Sequence, residues 1–208
     1  GEVIQQQLFG PAPHEYRALA AGIAGDAARM LAAFEELERL ARLDSKVLEL
    51  ECGETRLDEI VAGTVAQLDA HTRSRASGFD LRVDDDGLLL PLARIEVERI
   101  AWRLLATLGG TAAPGERLKL RLRRKGDNIR LTVTLPAALA AKDDAALFAA
   151  ATGSVPQVIA AGVFGVGFAL RLVRAEAHAA GGRLERHKDR LRLELPGFSF
   201  DYFSGCPA

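Results

Sequence analysis

Apolar residues recur at steps of three and four along a segment near the start of the chain, from about His14 to Leu43. The series consists of Tyr16, Leu19, Ile23, Ala27, Met30, Phe34, Leu37 and Ala41. This spacing predicts a long amphipathic helix with a heptad-like seam. Before it, the segment 9–13 contains Gly10, Pro11 and Pro13, which end an earlier helix. The seam needs a partner. Either two copies of a helical hairpin form a four-helix bundle, or the helix packs on its own domain.

Shorter patterns follow after Ser45. Val47 to Glu51 alternates as a strand does, and Thr55-x-x-Asp58 resembles a capping box opening a helix that runs to about Arg73. Gly109-Gly110 is expected to end a helix that begins near Leu92. The strands expected between these helices are 79–83 and 88–90, on either side of a turn at 84–87.

The second half of the chain predicts two hairpins separated by a glycine-rich turn and a helix. The hairpins are 117–123 with 128–135, joined at Gly126-Asp127, and 183–188 with 191–195. Between them lie an alanine-rich segment at 136–161 with short helices, the turn Gly162–Gly167 and a helix at 168–180. Helices thus alternate with mostly antiparallel strands. The fold class is α/β: a partial helical hairpin (1–45) followed by a two-layer α/β sandwich (46–208).

Composition excludes several classes of protein. Hydrophobic residues make up 49% of the 208 residues and the net charge is −1, so neither a disordered chain nor a nucleic-acid binder is indicated. The basic cluster at 121–125 fits the exposed positions of a hairpin. Cys52 and Cys206 lack a C-x-x-C partner, which excludes a cysteine-based zinc site and favours a reducing, cytoplasmic location. No apolar stretch long enough to cross a membrane occurs, so no membrane contact is expected.

The most informative motif is the run Gly162-Val-Phe-Gly165-Val-Gly167-Phe-Ala-Leu170, followed by His178 and Gly181-Gly182. Glycines let backbone N–H groups approach phosphate oxygens, and the positive end of the following helix favours an anion. The same glycines also fit a tight structural turn. The run, its helix and the last hairpin resemble the ATP-binding module of bacterial sensor histidine kinases, which belong to the GHKL ATPase superfamily.

The helix at 92–108 resembles the N-box of that family, whose usual pattern is N-L-x-x-N-A-x-K. Arg103 stands at the first Asn, Thr107 at the second Asn, which normally binds Mg²⁺, and Gly110 at the Lys. A Thr hydroxyl lacks the amide carbonyl oxygen of Asn. The resemblance therefore holds for the scaffold better than for the chemistry.

A third family motif is missing. The strand equivalent to 128–135 is normally followed by D-x-G-x-G, whose Asp recognises adenine, but here the chain reads Thr134-Leu-Pro-Ala-Ala-Leu139. Asp143 and Asp144 come later and fit a helix cap better than displaced substitutes. Phe148 corresponds to the family's F-box.

The phosphoacceptor His of the family is also not identified. His14-Glu15 resembles its H-E context only superficially, because it follows the proline break and has no Pro at the expected spacing. Residues 1–9 instead resemble the last turns of the first hairpin helix. The acceptor is therefore expected upstream of this chain.

The resemblance implies the C-terminal cytoplasmic part of a two-component sensor histidine kinase. It would form a homodimer through the 14–43 helix, use ATP and Mg²⁺, and pass a phosphoryl group through a His to the receiver domain of a response regulator. The implied nucleotide-binding residues are Arg103, Thr107, Gly162, Gly165, Gly167 and Leu170, with Thr107 as metal ligand. A second hypothesis is a catalytically inactive pseudokinase or phosphotransfer scaffold that dimerises and docks a regulator. A GHKL ATPase outside signalling is a third hypothesis. The long helix at 14–43, which we call the stalk helix, argues against it.

Overall fold

The structure is a computed structural model that describes residues 13–47, 49–149 and 164–198. It begins with the predicted long helix, α1, at His14–Asp44. The helix ends at Ser45, whose backbone N–H donates to the carbonyl of Ala41. The prediction of a helix over residues 14–43 is therefore confirmed. The expected helix end within residues 1–9 lies outside the described residues.

A five-stranded mixed sheet forms one layer of the remaining domain. Its strands are β2 (Gly78–Val83), β4 (Arg117–Lys125), β5 (Asn128–Thr134), β6 (Arg183–His187) and β7 (Arg190–Pro196). The spatial order is β2-β4-β5-β7-β6; β2 and β4 are parallel and the other pairs antiparallel. Two short strands, β1 (Thr55–Arg56) and β3 (Leu89–Leu90), form a separate antiparallel pair. Both predicted hairpins are present.

Three helices form the other layer. They are α2 (Leu57–Thr72), α3 (Arg94–Thr111) and α6 (Gly165–Ala179); the shorter α4 (Ala137–Ala140) and α5 (Asp144–Leu147) follow β5. Alternate residues of β4, namely Leu118, Leu120 and Leu122, are buried against the helices, while the intervening basic residues face away. The expected two-layer α/β sandwich is thus confirmed.

Two local predictions before α2 were wrong. Val47 and residues 49–51 form no strand; Val47 is exposed, and the Glu51 carbonyl accepts a hydrogen bond from Ala93 as part of an irregular connection. Thr55 does not cap α2, because its hydroxyl donates to the Leu92 carbonyl at 2.8 Å. Apolar alternation without a neighbouring strand to pair with does not make a strand.

The strands on either side of the 84–87 turn exist but do not form a hairpin. β2 pairs with β4 in parallel, whereas β3 pairs with β1. Asp84 and Asp85 bind β4 instead of closing a tight turn: Asp84 accepts from Arg121, and Asp85 accepts from the backbone N–H of Arg124 at 2.8 Å. These aspartates therefore fix the chain to the neighbouring strand.

The helix boundaries predicted from glycines differ from those observed in two places. Gly109-Gly110 does not end α3, which continues to Thr111. A Cβ at Gly109 would lie 3.0 Å from the Phe79 ring, so this glycine permits close packing of α3 on β2. Similarly, α6 begins at Gly165 rather than at Phe168.

The C-terminal end of α1 packs on α6. Leu40 and Leu43 of α1 form a buried apolar cluster with Phe168 and Leu172 of α6. The apolar seam predicted from the sequence faces solvent and not the domain. Its exposed residues are Tyr16, Leu19, Ile23, Met30 and Phe34. The helix therefore packs on its own domain at its C-terminal end, while the predicted seam faces solvent. Within the described residues, no helix is both long and apolar enough to cross a membrane.

Candidate functional site between α3 and α6

Helices α3 and α6 pack against each other and carry most of the residues expected to bind nucleotide. Arg103 and Thr107 lie on α3, whereas Gly165, Gly167 and Leu170 lie in the first turns of α6. Gly162 lies outside the described residues. The predicted positions are thus brought together on two adjacent helices.

Arg103 does not point into an open cleft. Its guanidinium donates to Glu176 of α6 at 2.5 Å, and only 12% of its side chain is exposed. Glu176 is fully buried and also accepts from Arg39 of α1, at 2.6 Å from Nε. One buried carboxylate therefore joins two arginines from two different helices.

The ion pairs extend along α3. Arg39 also donates to Glu96 at 2.5 Å, and Glu96 accepts from Arg99 at 2.9 Å. Glu36 of α1 lies 4.0 Å from Arg103. We call Glu36, Arg39, Glu96, Arg103 and Glu176 the interhelical ion cluster. It fixes the stalk helix to the domain at the position where the family pattern places the first N-box Asn.

The pKa values of two side chains in the interhelical ion cluster are shifted, for different reasons. The pKa of Glu36 is raised, because burial disfavours its charged form and the Glu176 carboxylate adds to this, although Arg103 opposes the shift. For Arg39, burial disfavours the cation, but hydrogen bonds and charge attraction from Glu176 and Glu96 outweigh burial and raise its pKa. Arg39 is thus held as a cation between two carboxylates.

Thr107 is fully buried, and its Oγ1 has no hydrogen-bond partner among the described residues. Its neighbours Leu104, Leu105 and Leu108 on the same helix are buried as well. Mg²⁺ keeps several waters in an octahedral shell and needs oxygen ligands at about 2.1 Å. A lone hydroxyl among leucines does not provide such a site.

The glycines at the start of α6 face protein. Gly165 has a φ of +77°, which favours glycine, and it starts the helix. A Cβ at Gly167 would lie 1.8 Å from the carbonyl oxygen of Ala149, so the chain after α5 passes directly over this glycine. Leu170 is fully buried in the core. Close backbone packing alone therefore explains Gly167.

The segment after β5 is held in this position by several contacts. Leu139 and Leu147 are buried in the core, and Arg174 of α6 stacks over the Phe148 ring at 3.4 Å. Burial lowers the pKa of Arg174. Asp143 accepts from the backbone N–H of Ala146 at 2.7 Å, which confirms its prediction as a helix cap.

In the part of the site that the structure describes, the residues do not fit ATP and Mg²⁺. Arg103 holds a carboxylate, Thr107 is enclosed, and the space beside Gly167 contains the Ala149 carbonyl. Among the described residues, no group of three or more His, Cys, Asp or Glu side chains is placed to hold a metal ion.

Glu176, Glu96 and Arg39 were not among the predicted site residues. A signal for Glu176 existed in the sequence: it lies on the apolar face of α6 with Leu172, Val173 and Ala177. A charged residue on a buried helix face needs a charged partner. The partner itself, 137 residues away, was not predictable from spacing.

Comparison with solved structures gives several matches to histidine kinases. The histidine kinase AdeS of Acinetobacter baumannii matches with a TM-score of 0.65 at 16% identity, over 95% of this chain and 95% of AdeS. Full-length ShkA in complex with AMPPNP matches with a TM-score of 0.74 at 13% identity, over 95% of this chain and 41% of ShkA. The chain has the fold of sensor histidine kinases.

Other matches with the histidine kinase fold include ThkA in complex with the response regulator TrrA. That match has a TM-score of 0.54 at 16% identity, over 95% of this chain and 56% of the other. No protein-family model matches the sequence, and no curated protein matches it. At 13–16% identity, the comparisons establish the histidine kinase fold. They do not establish a chemical activity for this chain.

Proposed function

We propose that the chain is the C-terminal, cytoplasmic signalling portion of a two-component sensor histidine kinase whose nucleotide site is closed. It would act as a dimeric pseudokinase scaffold that docks the receiver domain of a response regulator. The observation that carries this proposal is the salt bridge of Arg103 to the buried Glu176, at the place of the first N-box Asn.

Opening the site would require breaking this buried pair. Removing one partner from a buried ion pair costs about 3–5 kcal/mol, because the other charge stays buried and unpaired. Arg103 and Arg39 share the same carboxylate, so displacing one disturbs both. A nucleotide would have to supply this free energy before any net binding is observed.

The glycine turn supports the same proposal. A phosphate group needs free N–H donors and space at the start of the helix. At Gly167 that space is taken by the Ala149 carbonyl, and Phe148 is held next to it by Arg174. Carbonyl and phosphate oxygens are both hydrogen-bond acceptors and would repel each other there.

Dimerisation is supported by the exposed seam of α1. The side chains of Leu19, Met30 and Phe34 are 62%, 63% and 68% exposed. Large apolar side chains at heptad spacing on a solvent-facing helix are a surface for helix–helix association. Docking of a response regulator rests on the fold alone, since ThkA with this fold is seen in complex with TrrA.

A second candidate is ATP-dependent histidine phosphorylation through a divergent site. The buried hydroxyl of Thr107, which lacks a partner among the described residues, favours it, because an unpaired buried polar group is costly and often marks a functional site. In this case the Ala149 segment would have to move away from Gly167 before the glycines of α6 could approach ATP, and Thr107 would have to become accessible before it could contribute to binding Mg²⁺. ShkA, with the same fold, is seen with AMPPNP.

Calorimetry separates the two candidates. The chain would be titrated with ATP and AMPPNP, each with and without Mg²⁺, and with GTP as a control for recognition of the adenine base. A nucleotide-binding histidine kinase would be titrated in parallel. For the scaffold we expect no base-selective binding at millimolar nucleotide. Micromolar binding that prefers ATP over GTP would overturn the scaffold and support the kinase.

A further inference from the structure

The sheet has a second face, opposite the helical layer, and it is strongly basic. Four strands contribute its cations: Lys119, Arg121 and Arg123 from β4, Arg190 and Arg192 from β7, Arg82 from β2, and Arg130 from β5. Side chains alternate across a strand, so these residues point away from the core leucines between them. This face is therefore separate from the contact between α3 and α6.

Strand register places the cations around two threonines. Thr132 of the central strand β5 lies between Arg121 and Arg192. Thr134 lies beside Arg190, and its hydroxyl donates to the Lys119 carbonyl at 3.5 Å. We call this surface, with Thr132 and Thr134 as its floor, the basic trough. The short threonines between long cationic side chains create a depression of about 390 Å³.

The charges of the trough are only partly neutralised. Arg82 and Arg121 share Asp84, and Arg130 pairs with Glu194. Among the described residues, none forms an ion pair with Lys119, Arg123 or Arg192. Asp80 is the one carboxylate among the described residues that line the trough, and it already binds Arg117 at 2.7 Å.

Like charges also lie directly opposite each other. Arg82 faces Arg121 across the β2–β4 pair, and Arg123 faces Arg130 across the β4–β5 pair. Such pairs disfavour the folded state. A bound anion would offset this repulsion, and the free energy gained would appear as affinity.

The chemistry of the lining selects the kind of anion. Guanidinium groups bind phosphate oxygens in a bidentate way, and threonine hydroxyls donate to the same oxygens. A depression of this volume lies in the size range of small-molecule sites. No aromatic side chain is among the described residues lining it, so it has no surface on which nucleic-acid bases would stack.

We propose that the basic trough binds a small anion with two or more linked phosphate groups. Inorganic polyphosphate and the phosphate chain of a nucleoside polyphosphate share this chemistry. Lys119, Arg123 and Arg192, which make no ion pair with a described residue, contact the outer oxygens, and the hydroxyl of Thr132 donates to a phosphate at the floor. The site is independent of whether the α3–α6 site binds nucleotide.

The first test uses inorganic tripolyphosphate, which lacks a base and so does not report on the α3–α6 site. Calorimetry at low salt is expected to give saturable binding at micromolar concentration that weakens as salt is added. The variant Lys119→Gln/Arg123→Gln/Arg192→Gln removes cations that make no ion pair with a described residue. It should melt at or above the wild-type temperature, because the like-charge pair of Arg123 with Arg130 is removed, and it should bind at least tenfold more weakly.

A matched control removes the same charge elsewhere. Lys125→Gln/Lys142→Gln/Lys188→Gln changes three exposed lysines outside the trough, and its affinity should stay within twofold of wild type. Equal weakening in both triple variants would overturn the proposal, since affinity would then follow net charge alone. An absence of saturable binding at 1 mM tripolyphosphate would also overturn it.

Further titrations identify the source of the phosphates. Equal or tighter binding of tripolyphosphate compared with ATP and GTP indicates inorganic polyphosphate. Tighter binding of both nucleotides that is lost in the trough variant indicates a nucleoside polyphosphate. Tight binding of phosphatidylserine vesicles that tripolyphosphate does not displace would overturn the proposal in favour of a membrane surface.

Discussion

At the scale of single residues, Glu176 is the centre of the interhelical ion cluster. It is fully buried and accepts from both Arg39 and Arg103. Glu176→Gln keeps the shape of the side chain but removes its charge. We expect a loss of about 3–5 kcal/mol in the free energy of unfolding, measured by urea denaturation, because two arginines lose their carboxylate.

Glu38→Gln is the matched control for this substitution. Glu38 lies on α1, the helix that carries Arg39, and it pairs with Arg42 at 3.8 Å, but both side chains are exposed. Exposed pairs contribute at most about 1 kcal/mol. Similar losses in the two variants would contradict the central role of Glu176.

Glu194 makes stability depend on pH. Burial raises the pKa of this carboxyl, but hydrogen bonds from Arg130 and Arg183 outweigh burial and lower the pKa below its ordinary value of 4.5. The charged form is thus favoured by folding. Its contribution is complete above the ordinary pKa and is lost as pH falls through the lowered folded pKa.

Glu194→Gln should therefore differ most from wild type at pH 6. The difference in urea midpoint between the two proteins is expected to shrink between pH 5 and pH 3. Glu185→Gln, which removes an exposed partner of Arg183, should stay parallel to wild type. A constant gap for Glu194→Gln at all pH values would show that its charge is not favoured by folding.

At the scale of secondary-structure elements, the start of α6 depends on close backbone contact. Gly167→Ala would place a methyl group 1.8 Å from the Ala149 oxygen. We expect a loss of about 1–3 kcal/mol from the displaced segment, measured as a lower urea midpoint. The control Gly63→Ala lies in α2 with no atom within 4 Å of the added methyl, and should stabilise by up to about 1 kcal/mol. A neutral Gly167→Ala would mean that the Ala149 segment is not packed on α6.

Periodicity predicted α1 and both hairpins, because their apolar residues repeat at one period over many positions. It did not predict burial in α1, whose apolar seam is exposed. The pairing of β2 with β4 was missed because it joins residues about forty positions apart, and sequence alternation does not encode a strand's partner. The turn aspartates at 84 and 85 indicated a hairpin locally, but they bind β4 instead.

The sequence predicted which helices form the candidate site, but it did not predict the ion pair that fills it. The glycine run and the N-box-like helix identified α6 and α3, which do pack together. That Arg103 holds a carboxylate depends on Glu176, which lies 73 residues further along the chain. Such long-range pairs follow from the tertiary fold and are not visible in local spacing.

At the scale of the whole molecule, the exposed seam of α1 predicts self-association. Ile23→Asp/Phe34→Asp places two charges on the seam and should convert a dimer into a monomer, measured by sedimentation equilibrium. Ala28→Asp adds a charge on the opposite side of the same helix and should leave the dimer intact. A wild-type chain that is monomeric at high micromolar concentration would contradict dimerisation through this seam.

The contact between Arg39 and Glu176 has a consequence for synthesis in the cell. The two residues are 137 positions apart. At about 5–20 residues per second, the ribosome needs roughly 7–27 s to reach Glu176 after Arg39 has been made. During this interval α1 lacks the surface of α6 on which it docks, and its Leu40 and Leu43 are open to chaperones. The chain thus completes its fold only after α6 and the last hairpin, β6 with β7, have been made.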